Sequence, residues 1–329
     1  MSIPKILLIG VVVLFSGIGV VALSKKKKEE RPIQEEVVSS PVKPAVVAFQ
    51  RNSGALDVSP SPKIPVGIDL PNIDRIFQLF TTGPTKLPIV ETIEYSSSVS
   101  WLKGRPAWIA DYAVHYNTSK HFIARSLNGT ADYFSQKVLT GSRFNVFKKD
   151  KKIEFHLVVD VSRLKLAFYY LDLGTQERVL LKTYRLGLGR IDPSKPSGTL
   201  TPLGSYSLGD KVAVYKQGVM GFFHDQKTEM IRVFGTRWIP FDQEVGGSFE
   251  SAKGYGINGA PWIVDSKTGQ LVENRDLIGR FDSDGCIRMF LEDIEELYSI
   301  VVTKPTFVHV VKNFQDIVLP GSEVGTPSR

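Results

Sequence analysis

Sulfur is almost absent from this chain: one cysteine, Cys286, and four methionines in 329 residues. A single cysteine closes no intrachain disulfide, so no covalent framework holds the fold. In an oxidising compartment such a thiol is either a working group or an incidental one. Histidine is nearly as scarce, with five residues scattered along the chain. No Cys/His cluster with zinc-ligand spacing can be built from that inventory, so neither a metal nor a cofactor is expected. No long internal repeat is present. Charge of neither sign dominates, with 41 Lys and Arg against 34 Asp and Glu, a formal net charge of +7. That mild basic excess suits anionic partners such as nucleic acid, an acidic membrane surface or a carboxylate-rich polymer without choosing among them. At 42% hydrophobic residues the chain can bury cores for two modest domains plus tails.

What the chain has at its start is a long apolar run. Ile6 to Leu23 carries Ser16 as its only polar side chain and approaches the length needed to cross a bilayer core. No small-residue cleavage site follows it, so 1–24 reads as an uncleaved transmembrane signal-anchor. Lys25 to Lys28 directly after it favour keeping the bulk of the chain on the cytoplasmic side, so topology must be decided by what the downstream domain does. Residues 25–69 are charged and rich in Pro, Ser and Val, which reads as a flexible linker. A short helix is expected between Leu70 and Phe80, where Ile73, Ile76, Leu79 and Phe80 share a face. The stretch Pro106 to Arg125 is helix-compatible with a polar break at Asn117-Thr118-Ser119, and Asn128-Gly129 marks a turn. His115 and His121 fall on these helices and read as surface or packing residues.

From Lys152 the pattern switches to period two. Phe155, Leu157, Val159 and Val161 alternate with Glu154, His156, Val158 and Asp160, and Leu166, Phe168 and Tyr170 repeat the alternation. Half-buried strands joined by short turns are expected. Phe307 to Val311 forms a further strand, with His309 inside it as a structural residue, and places the domain end near Lys312. The expected organisation is therefore a small α/β domain at 70–151, a β-rich domain at 152–313 and a tail at 314–329.

One motif is a decoy. Gly254-Tyr255-Gly256-Ile257-Asn258-Gly259 fits G-x-G-x-x-G. A dinucleotide site needs a strand before this motif and a helix after it. Here the approach is polar and Ala260-Pro261 follows, so no nucleotide, and no nucleic acid, is expected.

Cys286 has a better context. A nucleophilic thiol needs positive charge or backbone N–H donors nearby and must be reachable. Gly285 leaves room for a substrate backbone, and Arg288 and Arg280 offer positive charge. Behind them Leu291, Ile294, Leu297 and Val301 share one helical face, with Glu292, Asp293, Glu295 and Glu296 in the early turns. The thiol thus lies in a loop anchored by a packed helix. A buried, inert cysteine is the competing reading.

Ser283-Asp284-Gly285-Cys286-Ile287-Arg288-Met289 resembles the S-H-G-C-[IV]-R-[ML] signature of the L,D-transpeptidase catalytic domain of the YkuD type. Three more stretches fall in that family's order: Pro196-Ser197-Gly198-Thr199-Leu200-Thr201-Pro202-Leu203-Gly204-Ser205-Tyr206, Phe234-Gly235-Thr236-Arg237-Trp238-Ile239, and Gly254 to Gly259. The resemblance covers about 155–312. It implies a mainly β, YkuD-like β-sandwich. It also implies an enzyme that acylates its cysteine on the third residue of a peptidoglycan stem peptide and expels the terminal D-alanine. An amine of another stem then accepts the acyl group to give a 3→3 crosslink, and carbapenems trap the thiol. Stem peptides and glycan are the implied partners. The catalytic domain is then expected in the periplasm or cell-wall space, held to the inner membrane by the N-terminal helix. The stretch 98–147 loosely resembles a LysM glycan-binding module.

The resemblance makes Cys286 the nucleophile, with Arg288 and Gly285 shaping its pocket and backbone N–H groups at Asp284, Gly285 and Cys286 as oxyanion donors. Ser283, Gly259, Trp238 and His224 are the expected substrate-side residues, His224 also as a possible base. Two departures stand out. Asn258 and Asp284 occupy places where the family usually has histidine. An amide takes no proton at neutral pH, so Asn258 can orient the thiol or bind the oxyanion but not deprotonate it. Asp284 can act as a base only if burial raises its pKa. The segment after Asn258 is longer than usual, with an insertion expected at Asp265 to Glu273. The competing functional expectation is a wall-binding protein that keeps the fold but is catalytically weak or inactive.

Overall fold

The computed structural model describes residues 70–128, 137–209, 212–246 and 250–325. The expected membrane anchor and the linker lie outside the described residues. Among the described residues no helix is long and apolar enough to cross a membrane.

The N-terminal part runs α1 (Phe77–Phe80), β1 (Val90–Glu94), α2 (Ile109–His115), α3 (Lys120–Asn128) and β2 (Arg143–Phe147). β1 and β2 pair antiparallel, Thr92 opposite Asn145. The break between α2 and α3 falls at the polar triplet, where Asn117 takes a left-handed φ of 45°. The helix expected over Leu70 to Phe80 is only the single turn α1. Upstream of it the backbone bonds to a neighbouring strand instead: Arg75 N–H donates to Leu181 O and Thr183 N–H to Ile73 O.

The β-rich part contains β3 (Ile153–Asp160), β4 (Lys165–Asp172), β5 (Glu177–Arg185), β6 (Leu188–Gly189), β7 (Gly204–Leu208), β8 (Ala213–Val214), β9 (Met220–Phe223) and β10 (Gln226–Glu229). After α4 (Ile231–Phe234) come β11 (Arg237–Gly246), β12 (Gly256–Gly259), β13 (Trp262–Val264), β14 (Leu271–Glu273), β15 (Phe281–Ser283) and β16 (Ile287–Met289). Helix α5 (Leu291–Val301), β17 (Thr306–Val311) and β18 (Ser322–Glu323) follow. Instead of two separate sheets, the principal strands form one curled, ten-stranded mixed sheet in the order β16-β12-β11-β7-β17-β3-β4-β5-β18, with β8 added on β11. The architecture is mainly β with few helices, as expected. The segment expected as an insertion makes its own hairpin, β13 with β14.

One face of the sheet and the apolar face of α5 share a core that includes Phe155, Leu157, Phe168, Ile257, Ile287, Ile294 and Leu297. The N-terminal part feeds the same core through Ile76, Leu79, Phe122 and Phe147. The Phe122 and Phe147 rings lie 4.6 Å apart, and Ser119 Oγ donates to the Ser299 carbonyl of α5 at 2.5 Å. The expectation of half-buried strands fails for β3: Val158 and His156 on its second face are also buried. Leu70, Phe314, Ile317 and Leu319 pack against that face together with Val158 and Tyr169.

Candidate functional site

Three adjacent strands set the site in register. β11 and β12 run antiparallel, pairing Trp238 with Asn258 and Ile239 with Ile257. β16 joins β12 in parallel, pairing Ile287 with Ile257 and Arg288 with Asn258. Successive side chains of a strand point to opposite faces. Ile239, Ile257 and Ile287 accordingly enter the core, and Trp238, Asn258 and Arg288 share the other face. Cys286, two residues before Arg288, falls on that same face at the entry to β16. Helix α5 begins just beyond β16, so the turn carrying the thiol is clamped between a sheet strand and a packed helix.

The turn itself is tightly specified. Gly285 has φ +113°, and a Cβ there would meet Tyr255 Cε1 at 2.5 Å and the Leu200 carbonyl at 2.7 Å. Only glycine fits. Ser283 is 1% exposed. Its Oγ donates to the Cys286 carbonyl at 2.6 Å and accepts from the Gly285 N–H at 3.1 Å. Two expectations are corrected by this. Ser283 is sealed inside the turn rather than facing substrate, and the Gly285 N–H is already engaged, which leaves the N–H groups of Asp284 and Cys286 as the oxyanion candidates of the turn.

Cys286 is partly exposed, and its Sγ lies 4.0 Å from the Gly254 carbonyl oxygen. Burial of the sulfur is the main influence on it and pushes the thiol up to about 12. The Arg288 guanidinium and the Gly256 N–H work in the opposite direction, and the Asp284 carboxylate adds to the rise. The resting thiol is therefore protonated at neutral pH.

Asp284 is not buried. It is 55% exposed and bonded to Arg190, Nη2 to Oδ1 at 2.6 Å. Arg190 reaches it because β6 pairs in parallel with β15, Ser283 opposite Gly189. Asn258 is 1% exposed, and its Nδ2 donates to the Gly259 carbonyl at 2.7 Å. Its Oδ1 is buried without a hydrogen-bond partner. What Asn258 presents is thus an acceptor, and the expected oxyanion contact, which requires a donor, is not the one its free atom offers. Arg288 Nη1 is likewise buried without a hydrogen-bond partner, 3.6 Å from Asp282 Oδ2.

The remaining candidates separate. Trp238 is 6% exposed and packs on Phe234 with ring centroids 4.7 Å apart, so it floors the site from β11. Gly259 faces packing rather than substrate: a Cβ there would touch Gly235 and Thr236 at 3.4 Å. His224 does not reach inward. It is exposed at the tip of the β9–β10 hairpin, where it and Asp225 have φ of 49° and 60°, and its ring sits against Phe223. In this geometry it is not placed as a base. The G-x-G-x-x-G stretch becomes strand β12 followed by strand β13, with no helix to meet a pyrophosphate. Among the described residues no cluster of His, Cys, Asp and Glu suits a metal ion. Sequence reasoning missed Arg190, Tyr255 and Leu200. The one local signal was the glycine at 189, where a Cβ would come 2.6 Å from Thr201 N, the mark of two backbones in close approach.

A family model, the L,D-transpeptidase catalytic domain (YkuD), matches residues 154–310. The matched span contains most of the curled sheet and the Cys286 turn. No curated protein matches the chain. Among solved structures, Bd1075 of Bdellovibrio bacteriovorus is similar at 13% identity and a TM-score of 0.32, covering 48% of this chain and 48% of that one. The helical cell shape determining protein Pgp2 from Campylobacter jejuni is similar at 17% identity and a TM-score of 0.32, covering 52% of this chain and 51% of that one. The chain thus spans about half the length of the solved structures it matches.

Proposed function

We propose that this protein is an acyltransferase of the bacterial cell wall, working outside the cytoplasmic membrane and held there by its N-terminal apolar segment. Cys286 takes the acyl group of a peptidoglycan stem peptide, expels the terminal residue and passes the acyl group to an amine, as in 3→3 crosslinking. The observation that carries this reading is the placement of Cys286, Arg288, Asn258 and Trp238 on one sheet face, in a domain matched by the L,D-transpeptidase model. The β1-α2-α3-β2 order with its antiparallel pair supports a LysM-like, glycan-holding role for the N-terminal part.

The test is a mass measurement. Incubated with stem tetrapeptides or a carbapenem, the full chain gains one acyl group on Cys286, and Cys286→Ala gains none. Muropeptides treated with the wild type then contain 3→3 dimers. A second reading has its own support, since a thiol pushed up to about 12, with asparagine where the family usually has histidine, describes a weak nucleophile. On that reading the protein binds sacculi without acylation, and only Asn258→His, which restores a titrating group near neutral pH, makes dimers.

A further inference from the structure

Two buried polar atoms on the sheet face that carries the thiol have no hydrogen-bond partner: Asn258 Oδ1, an acceptor, and Arg288 Nη1, a donor. They belong to residues paired across β12 and β16, on the face that carries Cys286. They do not satisfy each other. Arg288 Nη1 forms an ion pair with Asp282 Oδ2 at 3.6 Å, too long for a hydrogen bond. Asn258 is held with its Oδ1 turned away from Gly259, because its Nδ2 is committed to the Gly259 carbonyl at 2.7 Å. Buried polar atoms are almost always satisfied, and leaving two orphaned side by side is costly.

We propose that Asn258 and Arg288 together grip the scissile amide of the acyl donor, Arg288 Nη1 donating to its carbonyl oxygen and Asn258 Oδ1 accepting from its N–H. This rests on the acyl-transfer reading of Cys286. A peptide group carries one donor and one acceptor, the complement of this pair. When Sγ adds to the carbonyl carbon, the S–C bond forms and the π pair moves to oxygen, where Arg288 Nη1 holds it. Collapse of the adduct re-forms the carbonyl and breaks the C–N bond. Sγ attacks as the thiolate, its proton given up to solvent, and the leaving nitrogen, its N–H pinned by Asn258, takes a proton from solvent and departs as the amine, leaving the thioester. No side-chain base takes part: solvent carries the proton from sulfur to the leaving group. That fits a site where the thiol rests protonated and the usual histidine positions hold Asn258 and an Asp284 bonded to Arg190.

The experiment compares two acyl donors: a stem tetrapeptide ending in a D-alanine amide linkage, and the same peptide ending in a D-lactate ester, which lacks the N–H. Rates of Cys286 acylation are read by mass spectrometry on the full chain. Asn258→Ala is expected to slow the amide donor about tenfold more than the ester. Arg288→Gln is expected to slow both donors about a hundredfold, as loss of an oxyanion donor does. Asn258→Ser, with its acceptor too short to reach, serves where Asn258→Ala does not fold and is expected to show the same selective loss. An unchanged amide-to-ester ratio in both Asn258 variants, with the wild type acylating normally, overturns the pairing and leaves the acyl-transfer reading standing. Failure of the wild type to acylate from either donor overturns both.

Discussion

Arg190 Nη2 holds Asp284 Oδ1 at 2.6 Å, with both side chains about half exposed. The pair ties the end of β6 to the turn that presents Cys286. An exposed ion pair of this kind contributes about 0–1 kcal/mol to stability. Its carboxylate is directed at a guanidinium rather than at the thiol. Asp284→Asn is therefore expected to change the Cys286 acylation rate by no more than about threefold, in keeping with a contact of that size. Single-turnover mass spectrometry checks this. A loss of about a hundredfold, the scale of a general base, would instead make Asp284 that base.

The one cysteine makes thiol reactivity unambiguous to measure. Burial pushes Cys286 up to about 12, and Arg288 opposes that rise. Because only the thiolate is alkylated, the iodoacetamide rate of the folded protein should climb about tenfold per pH unit from pH 7 to 10 without a plateau. Arg288→Gln removes the opposing charge and should slow alkylation further at every pH in that range. A plateau below pH 9 would mean that the sulfur is better solvated than its surroundings indicate.

The parts of the fold and site legible in the sequence were those encoded locally. Phe155, Leu157 and Val159 announced a strand by their spacing, and all three are in the core. The Ser-Asp-Gly-Cys run announced a special turn, and Gly285 has the φ that only glycine tolerates well. What was not legible depends on segments distant in sequence. His156 and Val158 read as the wet face of β3, but Leu70, Phe314 and Leu319 cover that face, and periodicity within one strand carries no record of what lands on it. Arg190 was overlooked for the same reason: its link to Asp284 exists only because β6 and β15 pair. The motif alone suggests a substrate role for Ser283, whereas its hydroxyl is consumed by the turn.

Gly285→Ala tests the turn directly. The added methyl would lie 2.5 Å from the Tyr255 ring and 2.7 Å from the Leu200 carbonyl, at a φ of +113°. The strain is worth about 1–3 kcal/mol for the backbone alone, before the clash. Relief requires the turn to move, carrying Sγ away from the Gly256 N–H. Carbapenem capture by Gly285→Ala should fall about a hundredfold or more, as a misplaced reacting group does, with a lowered melting temperature. Capture at the wild-type rate would show that the thiol does not depend on this turn.

His156 and His309 predict an acid limit to stability. His156 Nδ1 and His309 Nε2 are 3.0 Å apart, and His309 Nδ1 lies 2.8 Å from Ser205 Oγ. Burial pushes both imidazoles down to about 4, and for His156 its neighbour His309 and Arg178 add to the effect. In the unfolded chain they protonate near 6.5. Between those values the unfolded state binds more protons, so stability present above pH 6.5 is lost as pH falls toward 4 and levels off below it. Each histidine contributes up to about 1.4 kcal/mol per pH unit in that window. His309→Gln should roughly halve this part of the slope when urea midpoints are compared from pH 7 to pH 4.5. An unchanged slope would remove the pair as the cause.

Phe122 links the N-terminal part to the ten-stranded sheet. Its ring is fully buried, 4.6 Å from Phe147, which in turn lies 6.0 Å from Phe155 of β3. These side chains belong to one core with Ile294 and Leu297 of α5, the helix that starts just after the Cys286 turn. A bead-like module on a flexible joint would unfold separately, but a shared core couples the two parts into one transition. Phe122→Ala should therefore destabilise the whole described fold by about 3–5 kcal/mol, read as a single urea transition shifted to lower denaturant. It should also reduce carbapenem capture at Cys286 at intermediate urea, in step with unfolding of the N-terminal part. Two separated transitions, with capture following only the second, would show instead that the ten-stranded sheet stands without its N-terminal partner.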